Sequence, residues 1–161
     1  MSKFSRHELI QEFIAAVRAG QTANQTLDHS VADYLGIDPS ALRCLDILDQ
    51  EGPMTAGRLA ERARLSPGAI TALLDRLEKK GLARRVRDTK DRRRVLVEVT
   101  PEVRRGGEQL YGTFEEGAQA LAGYSDRQLE FLIGFLRGNI AYQEERMRRL
   151  EELKARNARR E

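Results

Sequence analysis

The chain has 161 residues, 40% apolar and 33% charged, with a net charge of only +3. That is enough for one domain with a real core, extended by helices that need a partner. No stretch approaches the roughly 20 apolar residues of a spanning helix, and the opening MSKFSRHELI lacks the apolar core of a secretion signal, so a soluble, cytoplasmic protein with no membrane association is expected. One cysteine, Cys44, excludes an internal disulfide, and with His7 and His29 it offers no metal-ligand spacing; neither a metal nor a cofactor is expected.

Between Arg6 and Tyr34, the residues Leu9, Ile10, Phe13, Ile14, Val17, Leu27, Val31 and Tyr34 recur at steps of three and four, the period of an amphipathic helix. Gly20 and the polar run QTANQT predict a weak or bent middle, and Gly36 a C-terminal cap. Asp38-Pro39 opens a second helix, with Leu42, Leu45, Ile47 and Leu48 on its apolar face, that stops at Gly52-Pro53. Thr55 caps a third helix carrying Leu59, Ala60 and Ala63, and Arg64-Leu65 forms a turn. Ser66-Pro67 caps a fourth helix with the stripe Ile70, Leu73, Leu74 and Leu77, ending at Gly81.

After Gly81 the period changes to alternation: Leu82, Arg84 and Val86 on one arm, Val95, Val97 and Val99 on the other, joined by the polar loop RDTKDRR. Thr100-Pro101-Glu102 restarts a helix weakened by Gly106, Gly107, Gly112 and Gly117, each costing about 1 kcal/mol relative to alanine. Ser125 with Gln128 resembles a capping box opening a last helix through Leu129, Leu132, Ile133, Leu136, Ile140, Met147, Leu150 and Leu153, whose charged end is expected to fray. The predicted order is four helices, a hairpin and two helices. This is a mainly α fold with a small β-hairpin (α+β), a winged helix-turn-helix. The wing-bearing domain spans 37–100, with an N-terminal dimerisation helix at 1–36 and C-terminal dimerisation helices at 101–161.

Charge gathers in the same place. From Arg76 to Arg105 there are 12 basic and five acidic residues, a net of +7, so the remainder is net acidic. A helix that enters the major groove needs an apolar face to hold it and small or polar residues opposite. With Ile70, Leu73, Leu74 and Leu77 inward, the fourth helix presents Ser66, Pro67, Gly68, Ala69, Thr71, Ala72, Asp75 and Arg76. Ser66 and Thr71 can hydrogen-bond, the small residues allow close approach to phosphates, and Arg76 can reach phosphate or guanine. In the loop, Arg87, Lys90, Arg92, Arg93 and Arg94 suit a narrow minor groove and its flanking backbone. Asp91, among them, is expected to pair with one of the arginines and shape the loop. Taken alone, the helix also fits an ordinary solvent-facing surface and the loop a solvated turn.

The segment LAERARLSPGAITALLDRLEKKGLARRVRDTKDRRRVLVEVT resembles the core of the MarR family of bacterial transcriptional regulators. The specific part is DRLEKKGL followed by DTKDRR and a valine-rich strand ending at Thr100; Asp91 and Arg93 match the family's Asp-x-Arg wing signature. Val99 and Val103 stand where the family usually has leucine and glycine. The resemblance implies a sequence-specific regulator of double-stranded DNA, most often a repressor. It implies a homodimer formed by the terminal helices on a pseudo-palindrome, and a small aromatic or phenolic effector in a cleft drawing on helices one, two and five. His29, Tyr34 and Tyr111 are conceivable lining groups, although a lone histidine or tyrosine on such helices is more often surface or core. Cys44 is read as a small buried residue rather than a redox sensor, because redox members carry their cysteine near the start of helix one. A ligand-independent architectural DNA binder and a protein-interaction winged module are the alternatives. The chain has no Gly-rich phosphate loop, no Ser-His-Asp or Cys-His arrangement and no clustered carboxylates, so no enzyme is expected.

Overall fold

A computed structural model describes residues 4–158. The first helix, α1 (Arg6–Leu35), runs without a break. Its start is a capping box in which the Ser5 hydroxyl accepts the Glu8 N–H and Glu8 accepts the Ser5 N–H. The polar run expected to weaken its middle stays helical, and its hydroxyls are turned back onto the helix. Thr22 Oγ1 donates to Arg18 O, Thr26 Oγ1 to Thr22 O and Ser30 Oγ to Thr26 O, at 2.9–3.1 Å. Gly36 closes the helix at φ 60°, a left-handed cap where a β-carbon would also crowd Lys80 Nζ at 3.2 Å.

The next three helices begin where the caps predicted: α2 (Pro39–Glu51) at Asp38, α3 (Ala56–Ala63) at Thr55 and α4 (Pro67–Lys79) at Ser66. In each, the cap side chain accepts the backbone N–H three residues on. Two strands follow, β1 (Ala83–Arg87) and β2 (Val95–Val99), paired antiparallel with Ala83 opposite Val99 and Arg85 opposite Val97. The phase of the first arm corrects the sequence reading. Ala83 is the buried residue of β1, while Arg84 is exposed and Val86 only half-buried. On β2, Val97 and Val99 are buried and Val95 is 51% exposed.

An isolated bridge the sequence did not suggest joins Met54 to Val97, with N–H···O distances of 3.1 and 2.7 Å, and ties the start of α3 to the wing. Leu48, Leu59, Leu74, Leu77, Val97 and Cys44 lie at the centre of one core under α2, α3, α4 and the hairpin. Thr100 fastens the hairpin's base: its hydroxyl donates to Gly81 O at 2.9 Å and also caps the next helix, accepting from Val103 N.

The predicted fifth helix is two helices. α5 (Pro101–Tyr111) ends at Gly112, at φ 92° and ψ 158°, a conformation suited to glycine, and α6 (Phe114–Leu121) opens on a Thr113–Glu116 capping box. A final helix, α7 (Asp126–Ala158), follows the predicted Ser125–Gln128 cap. Its charged end stays helical to the last described residue. The chain divides into two compact units at this break, Met1–Gly112 and Thr113–Glu161. The first holds the core; α6 and α7 contain no buried residue.

Candidate nucleic-acid interface

On α4, Ile70, Leu73, Leu74 and Leu77 are buried in the core, and Ser66, Pro67, Gly68, Ala69, Thr71, Ala72, Asp75 and Arg76 are all exposed. The 3.6-residue period separates the two sets. Ser66 Oγ is occupied as the helix cap, and Thr71 Oγ1 donates to Pro67 O at 3.0 Å. Arg76 reaches back to α2, where its Nη2 lies 3.1 Å from Asp38 Oδ2. The other Asp38 oxygen caps α2, so one carboxylate ties the start of α2 to the last turn of α4.

The positive segment separates into paired and unpaired cations. Arg84 meets Glu98 across the strands at 2.6 Å, and Arg85 meets both Asp75 and Glu78 of α4, the former at 2.9 Å. Arg104 pairs with Asp49 and Arg105 with Glu102. At the wing tip, by contrast, the exposed side chains of Arg87, Lys90, Arg92 and Arg93 have no ion-pair partner among the described residues. Arg94 faces Asp88 at the long distance of 3.9 Å.

Asp91 shapes the loop through the backbone rather than through the expected arginine pair. Its carboxylate accepts the Arg93 N–H at 3.0 Å, and its carbonyl accepts the Arg94 N–H at 2.9 Å. Asp88 does the same for Lys90 N at 2.8 Å. The acids of the tip are thereby committed to backbone geometry, and the arginine heads remain available to an anion.

Sequence reading missed that Arg84 and Arg85 serve the wing's attachment. The signal was present in the Asp75/Glu78 spacing of i,i+3 on α4, which aims both carboxylates at one side of the helix.

A cleft of about 760 Å³ lies in the first unit, between α1, α2 and α5 and the end of α4. Val31, Leu42, Leu45, Leu82 and Val103 supply apolar wall, and of the three conceivable lining groups Tyr111 lies in it, its hydroxyl donating to Asp28 Oδ1 at 3.3 Å. His29 and Tyr34 do not line it: His29 Nδ1 donates to Gln25 O, and Tyr34 is 77% exposed. An unforeseen group in the wall is Asp46, whose pKa is pushed up to about 6 by burial and then by the neighbouring Asp28 and Asp49 carboxylates. Its place follows from Leu42, Leu45, Asp46 and Asp49 falling at i, i+3, i+4 and i+7. Cys44 is fully buried, and burial raises its thiol to about 11, so it stays protonated at neutral pH in keeping with a packing role.

The sequence profile of the MarR family matches residues 37–95. An uncharacterized HTH-type transcriptional regulator, YcgE of Bacillus subtilis, is 34% identical over 149 residues, 92% of this chain and 97% of its own length. The HTH-type transcriptional repressor MdtR of the same organism is 39% identical over 67 residues, covering 42% of this chain and 43% of its own. A solved MarR family protein from Bacillus stearothermophilus shares the fold at a TM-score of 0.60 and 22% identity, over 88% of this chain and 99% of that one. With four helices and a basic hairpin in the family's order, and a relative matched along nearly its whole length, the chain belongs to the MarR family of DNA-binding, winged helix-turn-helix transcriptional regulators.

Proposed function

We propose that the protein is a cytoplasmic, homodimeric repressor that binds a pseudo-palindromic operator and responds to a small aromatic effector. The observation that carries the DNA part of this reading is the unpaired cationic wing tip on a hairpin whose base is fastened to α4, together with the small-residue outer face of that helix. In this reading Gly68, Ala69 and Ala72 bring the α4 backbone against the major groove while Arg92 and Arg93 enter the flanking minor groove. Arg76 exchanges its Asp38 partner for a phosphate or base. Repression is favoured by the similarity to MdtR, whose name describes it as a repressor.

The apolar residues left in solvent support the dimer. Phe13, Ile14 and Leu27 on α1 and Phe131, Leu136, Ile140 and Leu150 on α7 are 43–73% exposed. Such long apolar stripes on helices mark a protein–protein surface. A two-fold dimer sets two recognition helices one DNA turn apart. The apolar cleft between α1, α2 and α5 is the place for the effector.

The test is a titration onto a duplex from upstream of the protein's own gene and onto a scrambled duplex, at two salt concentrations, with the mass in solution measured alongside. A preference of about a thousandfold that weakens with salt, from a particle of twice the chain mass, is expected. Equal, salt-sensitive binding to both duplexes would favour an architectural binder, and no binding at either salt a protein-interaction module.

A further inference from the structure

Charge in the cleft is one-sided. Its walls carry Asp46, Asp49, Glu102 and Glu108 against Lys80 and Arg104, and Asp28 borders it through the Tyr111 hydroxyl. Both cations are engaged: Arg104 Nε lies 3.4 Å from Asp49, and Lys80 Nζ donates to Leu35 O at 3.3 Å. Glu102 faces Arg105 at 2.9 Å. That leaves Asp46 and Glu108 with no ion pair among the described residues; Glu108 is exposed, whereas Asp46 is half-buried among Leu42, Leu45 and the other cleft residues.

A carboxylate in this position is held in an unfavourable state by its surroundings, and removing one like charge or adding one opposite charge relieves it. An anion entering the cleft adds to the repulsion. A protonated amine or quaternary ammonium with an apolar body does the reverse, covering the leucine and valine walls while its head neutralises Asp46. Among the described residues no group of three or more His, Cys, Asp or Glu converges closely enough to hold a metal ion, which points to an organic cation.

We propose that the effector of this regulator is an amphipathic organic cation, with its charged head on Asp46 and Asp28 and its apolar body against Val31, Leu42, Leu45 and Leu82. The inference rests on the cleft being an effector site and replaces the phenolic class with a cationic one. It also supplies a route to DNA. Lys80, Gly81 and Leu82 form the cleft wall at the end of the recognition helix, and the Lys80–Leu35 hydrogen bond links that end to α1. A guest seated there bears on the joint between α4 and α1.

The probes are three ligands with one body and different heads: 4-phenylbutylamine, 4-phenylbutan-1-ol and 4-phenylbutyrate, titrated calorimetrically into the full chain. The amine is expected to bind at least tenfold more tightly than the alcohol and the carboxylate most weakly. The amine's affinity should rise about tenfold between pH 5 and 7.5 as Asp46 ionises around 6, while the alcohol's stays level. Asp28, Asp49, Lys80, Glu102, Arg104, Glu108 and Tyr111 border the same space from α1, α2, the end of α4 and α5, and the alcohol controls for their titration. Asp46→Asn should bring the amine down to the alcohol, with alcohol binding reporting that the variant is folded; Asp28→Asn, on the partly exposed face of α1, should produce a smaller loss in the same direction.

Equal binding of all three, tighter binding of the carboxylate, or no binding of the amine overturns the proposal. Amine binding that depends on Asp46 but leaves operator affinity unchanged supports the cation site while removing its role as an effector site.

Discussion

The base and the tip of the wing hold the same residue type in opposite circumstances. At the base, Arg84 and Arg85 are fixed by Glu98, Asp75 and Glu78; at the tip, Arg87, Lys90, Arg92 and Arg93 have no ion-pair partner among the described residues. Register makes the difference. The ladder puts Arg84 opposite Glu98, and Arg85 lies where α4 offers two carboxylates, whereas at the tip the two acids are turned onto backbone N–H groups. A cation already 2.6–2.9 Å from a carboxylate contributes little to the field felt by a phosphate. The net +7 of the segment is therefore a poor guide to its free charge: the base serves the wing's attachment to α4, and the unpaired cations lie at the tip.

Replacing Arg87, Lys90, Arg92 and Arg93 together by alanine tests this most strongly. Affinity for every duplex should fall, and the slope of log K against log salt should flatten by about 0.9 for each phosphate no longer neutralised, hence by about 3 to 4 per wing. Chemical denaturation should show stability unchanged within about 0.5 kcal/mol, because these side chains hold nothing in place. An unchanged salt slope would remove the tip from the interface.

Arg85→Ala should do the opposite. Its partly buried guanidinium joins β1 to α4, so unfolding free energy should drop by about 1 kcal/mol, while the salt slope stays the same and DNA affinity falls less than about tenfold. If Arg85→Ala flattened the salt slope as much as removal of a tip arginine, base and tip would be equivalent and the comparison would fail.

Much of this architecture was legible in the sequence because caps and periods are local. Asp38-Pro39, Thr55, Ser66-Pro67 and Ser125 with Gln128 each mark a helix start by satisfying backbone N–H groups within one turn. The inward stripe of α4 follows from the same local geometry. What escaped was set by partners distant in sequence. The pairing of Arg76 with Asp38 and of Arg85 with Asp75 depends on how helices dock, and the Met54–Val97 bridge on where the loop before α3 lands. Alternation alone could not show that small Ala83, and not Val86, turns inward on β1. The break at Gly112 was readable from Thr113 and Glu116, but four glycines in a row of weak helix pointed to flexibility rather than to a new cap. Among the cleft residues Tyr111 was conceivable from its helix, though a tyrosine there reads first as surface or core, and Asp46 was not, because an aspartate beside leucines reads as the edge of a stripe until α1 and α5 are packed over it.

An effect no larger than that of Arg85 belongs to that aspartate, which is the wing tip with its sign reversed: an unpaired charge kept beside an opening for a partner. Its folded pKa of about 6 lies above the ordinary carboxylate value of 3.8, so ionisation costs the folded state more than the unfolded one. The cost is absent below about pH 4, grows as pH rises toward 6 and is complete above it. Asp46→Asn should therefore be neutral at pH 4 and stabilising at pH 8, by about 1 kcal/mol once solvent screening of a half-buried group is allowed for, or about 2 to 4 °C in Tm. The gain should vanish when the native protein is saturated with 4-phenylbutylamine, which neutralises the same charge. A variant equally stabilised at both pH values would mean that packing rather than charge is at work, and would leave the cleft without the unrelieved carboxylate that distinguishes it from an ordinary apolar groove.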